Sequence, residues 1–313
     1  MAYITRYGSI WGQIPNTAGQ VFWVAPAASY TVNGQAYEAS NNNDGLTPQN
    51  AKLTLASAVT AATANAGDVI VLLPGAHSWA ASVAASKAGL TITGLPSGLG
   101  NQMRHKTSIT TTADDEIINV TAADVEIAYL HIIPVTTKAG IDFTTAANRL
   151  HVHDCSIDLH TAAASTSTVG VGVTAIGQAP SDVHFKNVYS LSDGAQGPAI
   201  SVGDTFGSLI EDCEFVVRGG AWASALNVDG VTSAYGTVLR CIFRARQGTM
   251  TIGITGGTDD ASTGNYGIYN CLFDENVTTP IDNFGTECCN IAENYRASAD
   301  GTAEGGLLWS STT

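Results

Sequence analysis

The sequence predicts an all-β fold: a single chain wound into a parallel β-helix, or solenoid, with a short helix near its first coil. Three observations predict it: a repeated segment, a one-residue break inside each copy, and no helical periodicity between copies. Five segments share the pattern: Leu150-His-Val-His-Asp-Cys-Ser-Ile157, Asp182-Val-His-Phe-Lys-Asn-Val-Tyr189, Ser208-Leu-Ile-Glu-Asp-Cys-Glu-Phe215, Gly236-Thr-Val-Leu-Arg-Cys-Ile-Phe243 and Tyr266-Gly-Ile-Tyr-Asn-Cys-Leu-Phe273. Aligned on a small apolar residue they superimpose Cys155, Val188, Cys213, Cys241 and Cys271, at steps of 33, 25, 28 and 30 residues. A weaker copy, Val125-Glu-Ile-Ala-Tyr-Leu-His-Ile132, puts Leu130 in the same place, and Ile291-Ala-Glu-Asn-Tyr295 reads as a further one. An irregular repeat of this length marks a solenoid, whose units bury their apolar faces only against their neighbours.

From the N-terminus, residues 1–45 carry Tyr3, Tyr7, Trp11, Phe22 and Trp23 with no periodic helix. They read as an extended, aromatic-rich arm that either folds back over its own coil or packs on a neighbouring subunit, since aromatics are enriched in interface cores. Residues 46–297 form the coil. Its capping helix is placed at 52–64, where Leu55, Val59 and Ala62 share a face and Ala is frequent. Val69-Ile-Val-Leu-Leu73 follows as a strand apolar on both faces and ends at Pro74-Gly75. The helix is expected to cover the open end of the first coil and shield its edge, the alternative being a surface helix on the side of the coil. Roughly nine or ten turns of about 25 residues fit between Gly67 and Tyr295. Residues 298–313 are a C-terminal tail.

Each copy opens with strand alternation, as in Leu209, Ile210 and Glu211, and then breaks. Asp154, Asn187, Asp212 and Asn270 stand immediately before the aligned apolar residue. Asn and Asp tolerate the left-handed conformation, so these positions read as one-residue bends. Arg240 and Tyr129 depart from that residue type. Val169–Val173, Ala199–Val202, Ala225–Val228 and Thr251–Ile254 fit the remaining side of each turn, and Thr161–Thr168 reads as a surface loop.

The six cysteines read as packing residues. Four share the aligned rung with Val188 and Leu130, where a free Cys acts as a small hydrophobe. The vicinal pair Cys288-Cys289 is expected to be unbridged, and there is no Cys-x-x-Cys pair for zinc.

Lys plus Arg number 13 against 27 Asp plus Glu, for a net charge of −14. The absence of a basic stripe argues against nucleic acid and anionic membrane surfaces. No apolar run reaches membrane-spanning length. The segment Met1-Ala-Tyr-Ile-Thr-Arg-Tyr7 lacks the pattern of a signal peptide. Only 13% of residues are charged, so small side chains, hydroxyls and amides cover the surface.

The stretch from Asn43-Asp-Gly-Leu-Thr-Pro-Gln-Asn-Ala-Lys-Leu-Thr-Leu55 to Gly67-Asp-Val-Ile-Val-Leu-Leu-Pro-Gly75, with the recurrent Asp/Asn-Cys-x-Phe/Ile corner, resembles the right-handed parallel β-helix superfamily. Pectate lyases, polygalacturonases and bacteriophage tailspikes belong to it. The resemblance spans residues 43–297 and implies the fold. This fold hosts enzymes and inert shafts alike. The small polar surface and aromatic arm resemble a virion structural protein of a phage, a tail component or capsid decoration assembled in the host cytoplasm. The partners that reading implies are two further copies in a homotrimer and capsid or tail subunits. The alternative is a polysaccharide depolymerase, hydrolase or lyase, or a glycan-binding β-helix that touches a host surface glycan.

The first acids to consider for a depolymerase are Asp114, Asp115, Asp259 and Asp260, the dense acidic groups of the chain. Calcium would need six to eight oxygen ligands. The sequence matches the polygalacturonase Asp-Asp pair but lacks that family's Gly-His-Gly and Asn-Thr-Asp elements. Arg104-His-Lys106 matches its Arg-x-Lys but precedes the acids instead of following them. No catalytic set is therefore complete, and neither cofactor nor metal is expected. One outward ladder aligns Glu126, His151 and His184, with His153 against Lys186, a pattern able to hold a metal or exchange protons. The same face later carries Leu209, Leu239 and Tyr269, expected to form an apolar contact stripe.

Overall fold

The structure is a computed structural model that describes residues 19–96, 106–134, 138–159, 171–172, 180–194, 197–203, 205–228, 235–256, 266–282 and 289–296. The chain winds into a right-handed parallel β-helix with three long parallel sheets of ten, nine and eight strands. Each complete turn contributes one strand to each sheet in the same order, Val21–Val24 adds one more to the ten-stranded sheet at the start, and every described pairing along these sheets is parallel and joins successive turns.

The bends predicted from the repeat are present. Tyr129, Asp154, Asn187, Asp212, Arg240, Asn270 and Glu293 all have φ between 50° and 58°. Each separates a strand of the ten-stranded sheet from one of the nine-stranded sheet. Tyr129 and Arg240 hold the left-handed conformation without the residue type that favours it. A second left-handed corner, not read from the sequence, lies six residues before the aligned position: Asp124, Arg149, Asp182 and Gly207 have φ of 59°, 57°, 59° and 76°. Between the two corners the strand is pinned to a few residues.

The aligned residues form one inward column. Backbone bonds step along it: Ser156 N to Leu130 O, Tyr189 N to Cys155 O, Glu214 N to Val188 O, Ile242 N to Cys213 O, Leu272 N to Cys241 O and Tyr295 N to Cys271 O. Cys155, Cys213, Cys241 and Cys271 are free and buried. Each thiol donates to the carbonyl two residues before it, at 3.3–3.5 Å. Cys289 lies in the strand Cys289–Ala292, and Cys288 is outside the described residues. A second inward column runs Ile70, Ile92, Ile127, Val152, Phe185, Ile210, Val238 and Ile268. In the nine-stranded sheet Phe215, Phe243 and Phe273 stack with centroids 4.9 and 4.7 Å apart.

The N-terminal boundary differs from the expectation. Val21–Val24 pairs in register with Val69–Leu72 and begins the ten-stranded sheet, so this part is coil and not arm. Ser29–Val32 and Gln35–Glu38 form an antiparallel hairpin turned by Asn33-Gly34, both at positive φ. Asn-Gly is the preferred dipeptide for such a turn. Helix α1 is shorter than 52–64: it spans Leu55–Ala61, with Thr54 accepting from Ser57 N as its cap. Its Leu55, Ala58 and Val59 join the main core beside Ile70 and Leu72, so the helix covers the N-terminal part of the core. No helix among the described residues is long and apolar enough to cross a membrane.

Candidate functional site

The outer face of the ten-stranded sheet carries the densest polar network. Its first column reads Glu126, His151, His184, Leu209, Thr237, and the second Ala128, His153, Lys186, Glu211, Leu239, Tyr269, all in register. The ladder forces this proximity: successive rungs lie about 4.8 Å apart, and outward residues on one strand are separated by a single inward residue.

The three imidazoles stack. The His151 ring lies 4.3 Å from that of His153 and 4.5 Å from that of His184, the latter pair parallel to within 5°. His153 is tied at both nitrogens, Nε2 to Glu126 Oε1 and Nδ1 to Asp154 Oδ2, each at 2.7 Å. Asn187 Nδ2 donates to the other Asp154 oxygen, and Thr91 Oγ1 donates to Glu126 Oε2 at 3.0 Å. His151 Nε2 is buried with no hydrogen-bond partner among the described residues. Burial first, then the neighbouring His153 and His184, holds the His151 pKa down to about 4. Burial works the same way on His153, but the hydrogen bonds and charges of Asp154 and Glu126 outweigh it and raise its pKa to about 9. One imidazole is therefore neutral and its neighbour charged at neutral pH. The His153 hydrogen bond also lowers the Glu126 pKa, against the effect of burial.

The second half of the network centres on Glu211. Its Oε1 lies 3.1 Å from His184 Nε2 and 3.0 Å from Lys186 Nζ, and its Oε2 accepts from Arg240 Nη2 at 2.8 Å. Arg240 Nε also donates to Asp212 Oδ1 at 2.7 Å. Burial would raise the Glu211 pKa, but Lys186, His184 and Arg240 together hold it below the usual carboxylate value. Sequence alignment found Glu126, His151, His153, His184 and Lys186. It missed Glu211, read only as part of the strand alternation, and the part played by Asp154, Asn187, Asp212 and Arg240, which looked like bends only. Their spacing held the signal, because bend residues on successive turns are also rung neighbours.

The acids singled out for a depolymerase are arranged differently. Asp114 is exposed. Asp115 accepts from Ser82 N at 2.8 Å and from Glu116 N at 3.0 Å, which are turn-fixing bonds. Glu116 has a raised pKa, from burial first and then from Asp115; Asp142 is paired in register with Asn119 on the adjoining turn. Asp259 and Asp260 lie outside the described residues, as do Arg104 and His105.

Of the contact candidates, Tyr3, Tyr7 and Trp11 lie outside the described residues. Phe22 and Trp23 do not face a partner: each is 3% exposed, Phe22 in the main core and Trp23 in a smaller one with Tyr30, Val69 and Val71. Leu209, Leu239 and Tyr269 are half-buried on the outer face, interrupted by Glu211 and Thr237. The exposed apolar pair is instead Leu272 and Tyr295, on adjacent rungs of the nine-stranded sheet.

Two other features are less suited to chemistry. Ser156 Oγ lies 2.8 Å from His131 Nδ1, and His131 Nε2 lies 3.6 Å from Asp158. These three residues are 2–5% exposed, which leaves substrate no approach. A cleft of about 330 Å³ between the hairpin and the first coil is lined by Trp23, Pro26, Tyr30, Pro48, Leu73 and Leu95. Its Tyr30 hydroxyl is already engaged with Pro48 O and Ala51 N.

No protein-family model matches the chain, and no curated protein matches it. Solved structures match in shape. Pectin methylesterase PemA from Erwinia chrysanthemi gives a TM-score of 0.55 at 14% identity, over 89% of this chain and 90% of that one. A pectin methylesterase mutant in complex with a hexasaccharide gives 0.53 at 14% identity, covering 80% and 86%. A rhamnogalacturonan lyase gives 0.50 at 12% identity, covering 91% and 89%. At such identities the likeness speaks to architecture alone, and it agrees with the parallel β-helix fold described above.

Proposed function

We propose that this chain processes a polysaccharide laid across successive rungs of the ten-stranded sheet, with His184, Lys186, Glu211 and Arg240 contacting the sugars. The observation that carries the reading is the polar row itself. It joins neighbouring turns through charged side chains on a chain where only 13% of residues are charged. An open face with a repeat of about 4.8 Å suits an extended polymer, because one sugar ring is comparable in length to one rung. Lys186 and Arg240 are half-exposed and within reach of a ligand, while Glu211 holds them in place. The fold is shared with enzymes whose names refer to pectin and rhamnogalacturonan, two of them esterases and one a lyase, which supports a polysaccharide-processing reading over that of a virion component. The virion reading also loses two of its proposed contacts, since Phe22 and Trp23 are buried within the chain.

The test is incubation of the full chain with a panel of plant and bacterial polysaccharides. Polymer length is followed by size-exclusion chromatography, and new ends by reducing-sugar assay and by absorbance of unsaturated products. Shortened chains are expected, with the loss of activity in Lys186→Ala and Arg240→Ala exceeding that in Asp115→Asn. Intact polymers throughout would overturn the proposal of cleavage. Retardation in affinity electrophoresis without shortening would instead establish a glycan-binding shaft.

A further inference from the structure

We propose that Glu126, His151 and His153 form a binding site for a divalent transition metal of the zinc class on the outer face of the ten-stranded sheet. One donor atom from each residue lies within 4.8 Å of the other two. All three come from two adjacent rungs, with Glu126 paired to His151 and Ala128 to His153. Sites built on strands are held more tightly than sites on loops.

The surrounding bonds are those a metal site needs. A ligating imidazole usually gives its second nitrogen to a carboxylate, which fixes the ring. His153 does this: Nδ1 is bonded to Asp154, which Asn187 holds from the next turn, leaving Nε2 directed at Glu126. Glu126 is fixed through its other oxygen by Thr91. Its Oε1 and His153 Nε2 stand 2.7 Å apart, with a proton between them. Two ligands of one tetrahedral zinc stand about 3.3 Å apart, so a metal takes the proton's place after a side-chain movement of under an ångström.

His151 supplies the independent observation. Its Nε2 is buried without a hydrogen-bond partner, a costly state for a polar atom. The ring lies between those of His153 and His184, and a modest rotation brings its donor from within 4.8 Å toward the other two. Coordination would satisfy it.

The donor set of two imidazoles and one carboxylate selects zinc, cobalt or nickel over calcium and magnesium, which require oxygen ligands. Cys155 is not a ligand: it points inward, and burial pushes its thiol pKa up to about 12. Three protein ligands leave a coordination position open to water or to a substrate on this face. Metal binding does not depend on the polysaccharide reading, and either can fail alone.

The full chain, stripped with chelator, is titrated with zinc chloride by calorimetry and with cobalt chloride by visible absorbance. One equivalent is expected, with the intense bands of low-coordinate cobalt. Glu126→Gln and His153→Ala are each expected to weaken binding more than tenfold. Asp154→Asn is expected to weaken it by about tenfold or more through loss of ring orientation, whereas Asp115→Asn leaves it unchanged. Circular dichroism of each variant checks that the coil is intact. Should a variant not fold, the wild-type chain decides the matter: zinc must shift the imidazole proton resonances of His151 and His153. Absence of binding, imidazole signals that do not move, or binding that survives both ligand substitutions overturns the proposal.

Discussion

At the scale of single residues, the bends separate conformation from residue type. Seven successive corners take the same left-handed geometry, although only four carry Asn or Asp. Left-handed backbone costs an ordinary L-residue about 1–2 kcal/mol, and a misfit residue bears that cost unless a contact offsets it. Arg240 has one, pairing with Glu211 and Asp212 on the preceding rung. Glu293, exposed at φ 58°, has no such ion pair among the described residues. Glu293→Asn is expected to stabilise the chain by about 0.5–1 kcal/mol, while Arg240→Asn, which gives up its ion pairs, gains nothing. Equilibrium denaturation of the two variants checks this, and equal gains would refute the compensation argument. Glu211 gives a pH signature. Its pKa is lowered on folding, so its contribution to stability is complete above the unfolded value of about 4.3 and is lost as pH falls through the folded value. The difference in stability between wild type and Glu211→Gln is therefore expected to be constant near neutrality and to shrink below about pH 4.3. A difference that does not change with acidity would contradict the assignment.

At the scale of elements, the inward cysteine column makes a prediction about reactivity. Burial raises the Cys155 pKa to about 12 and also raises that of Cys241; the neighbouring Cys241 thiol and burial raise that of Cys271. The thiolate is the reactive form. Brief alkylation of the native chain near pH 8, mapped by mass spectrometry, is expected to spare Cys155, Cys213, Cys241 and Cys271, and to label all four after denaturation. Native labelling of any of them would mean the column opens. This column was legible because one small residue type recurs at one register. The corner six residues earlier was not, because Asp124, Arg149, Asp182 and Gly207 share a conformation but no chemistry. Asn33-Gly34 is a strong turn signal for the hairpin, but its strands are four residues each and mostly exposed, so no buried alternation marks them. The charged network was half legible: alignment finds columns, but not the side chains of bend residues that reach across rungs, as Asp154, Asn187 and Arg240 do.

At the scale of the whole molecule, a solenoid couples each turn mainly to the next, so a local loss stays local. Helix α1 tests this because it packs chiefly on Val21–Val24, Val69–Leu72 and Val83–Ala85, all in the first turns. Leu55 is fully buried in that contact. Leu55→Ala removes the transfer energy of three carbons and leaves a cavity, a cost of about 2–5 kcal/mol. In a globular domain with one cooperative core such a loss would be felt everywhere. Here hydrogen exchange is expected to rise sharply in Val69–Leu72 and Thr91–Thr93, more weakly in Glu126–Ala128, and not at all in Phe206–Glu211 or Tyr235–Leu239. The Glu211 cluster, which spans those later turns, should keep its pH signature in the variant. A uniform rise in exchange along the coil would mean that the turns fold as one unit, and that the helix is a keystone for the whole column instead of a cover for its first rungs.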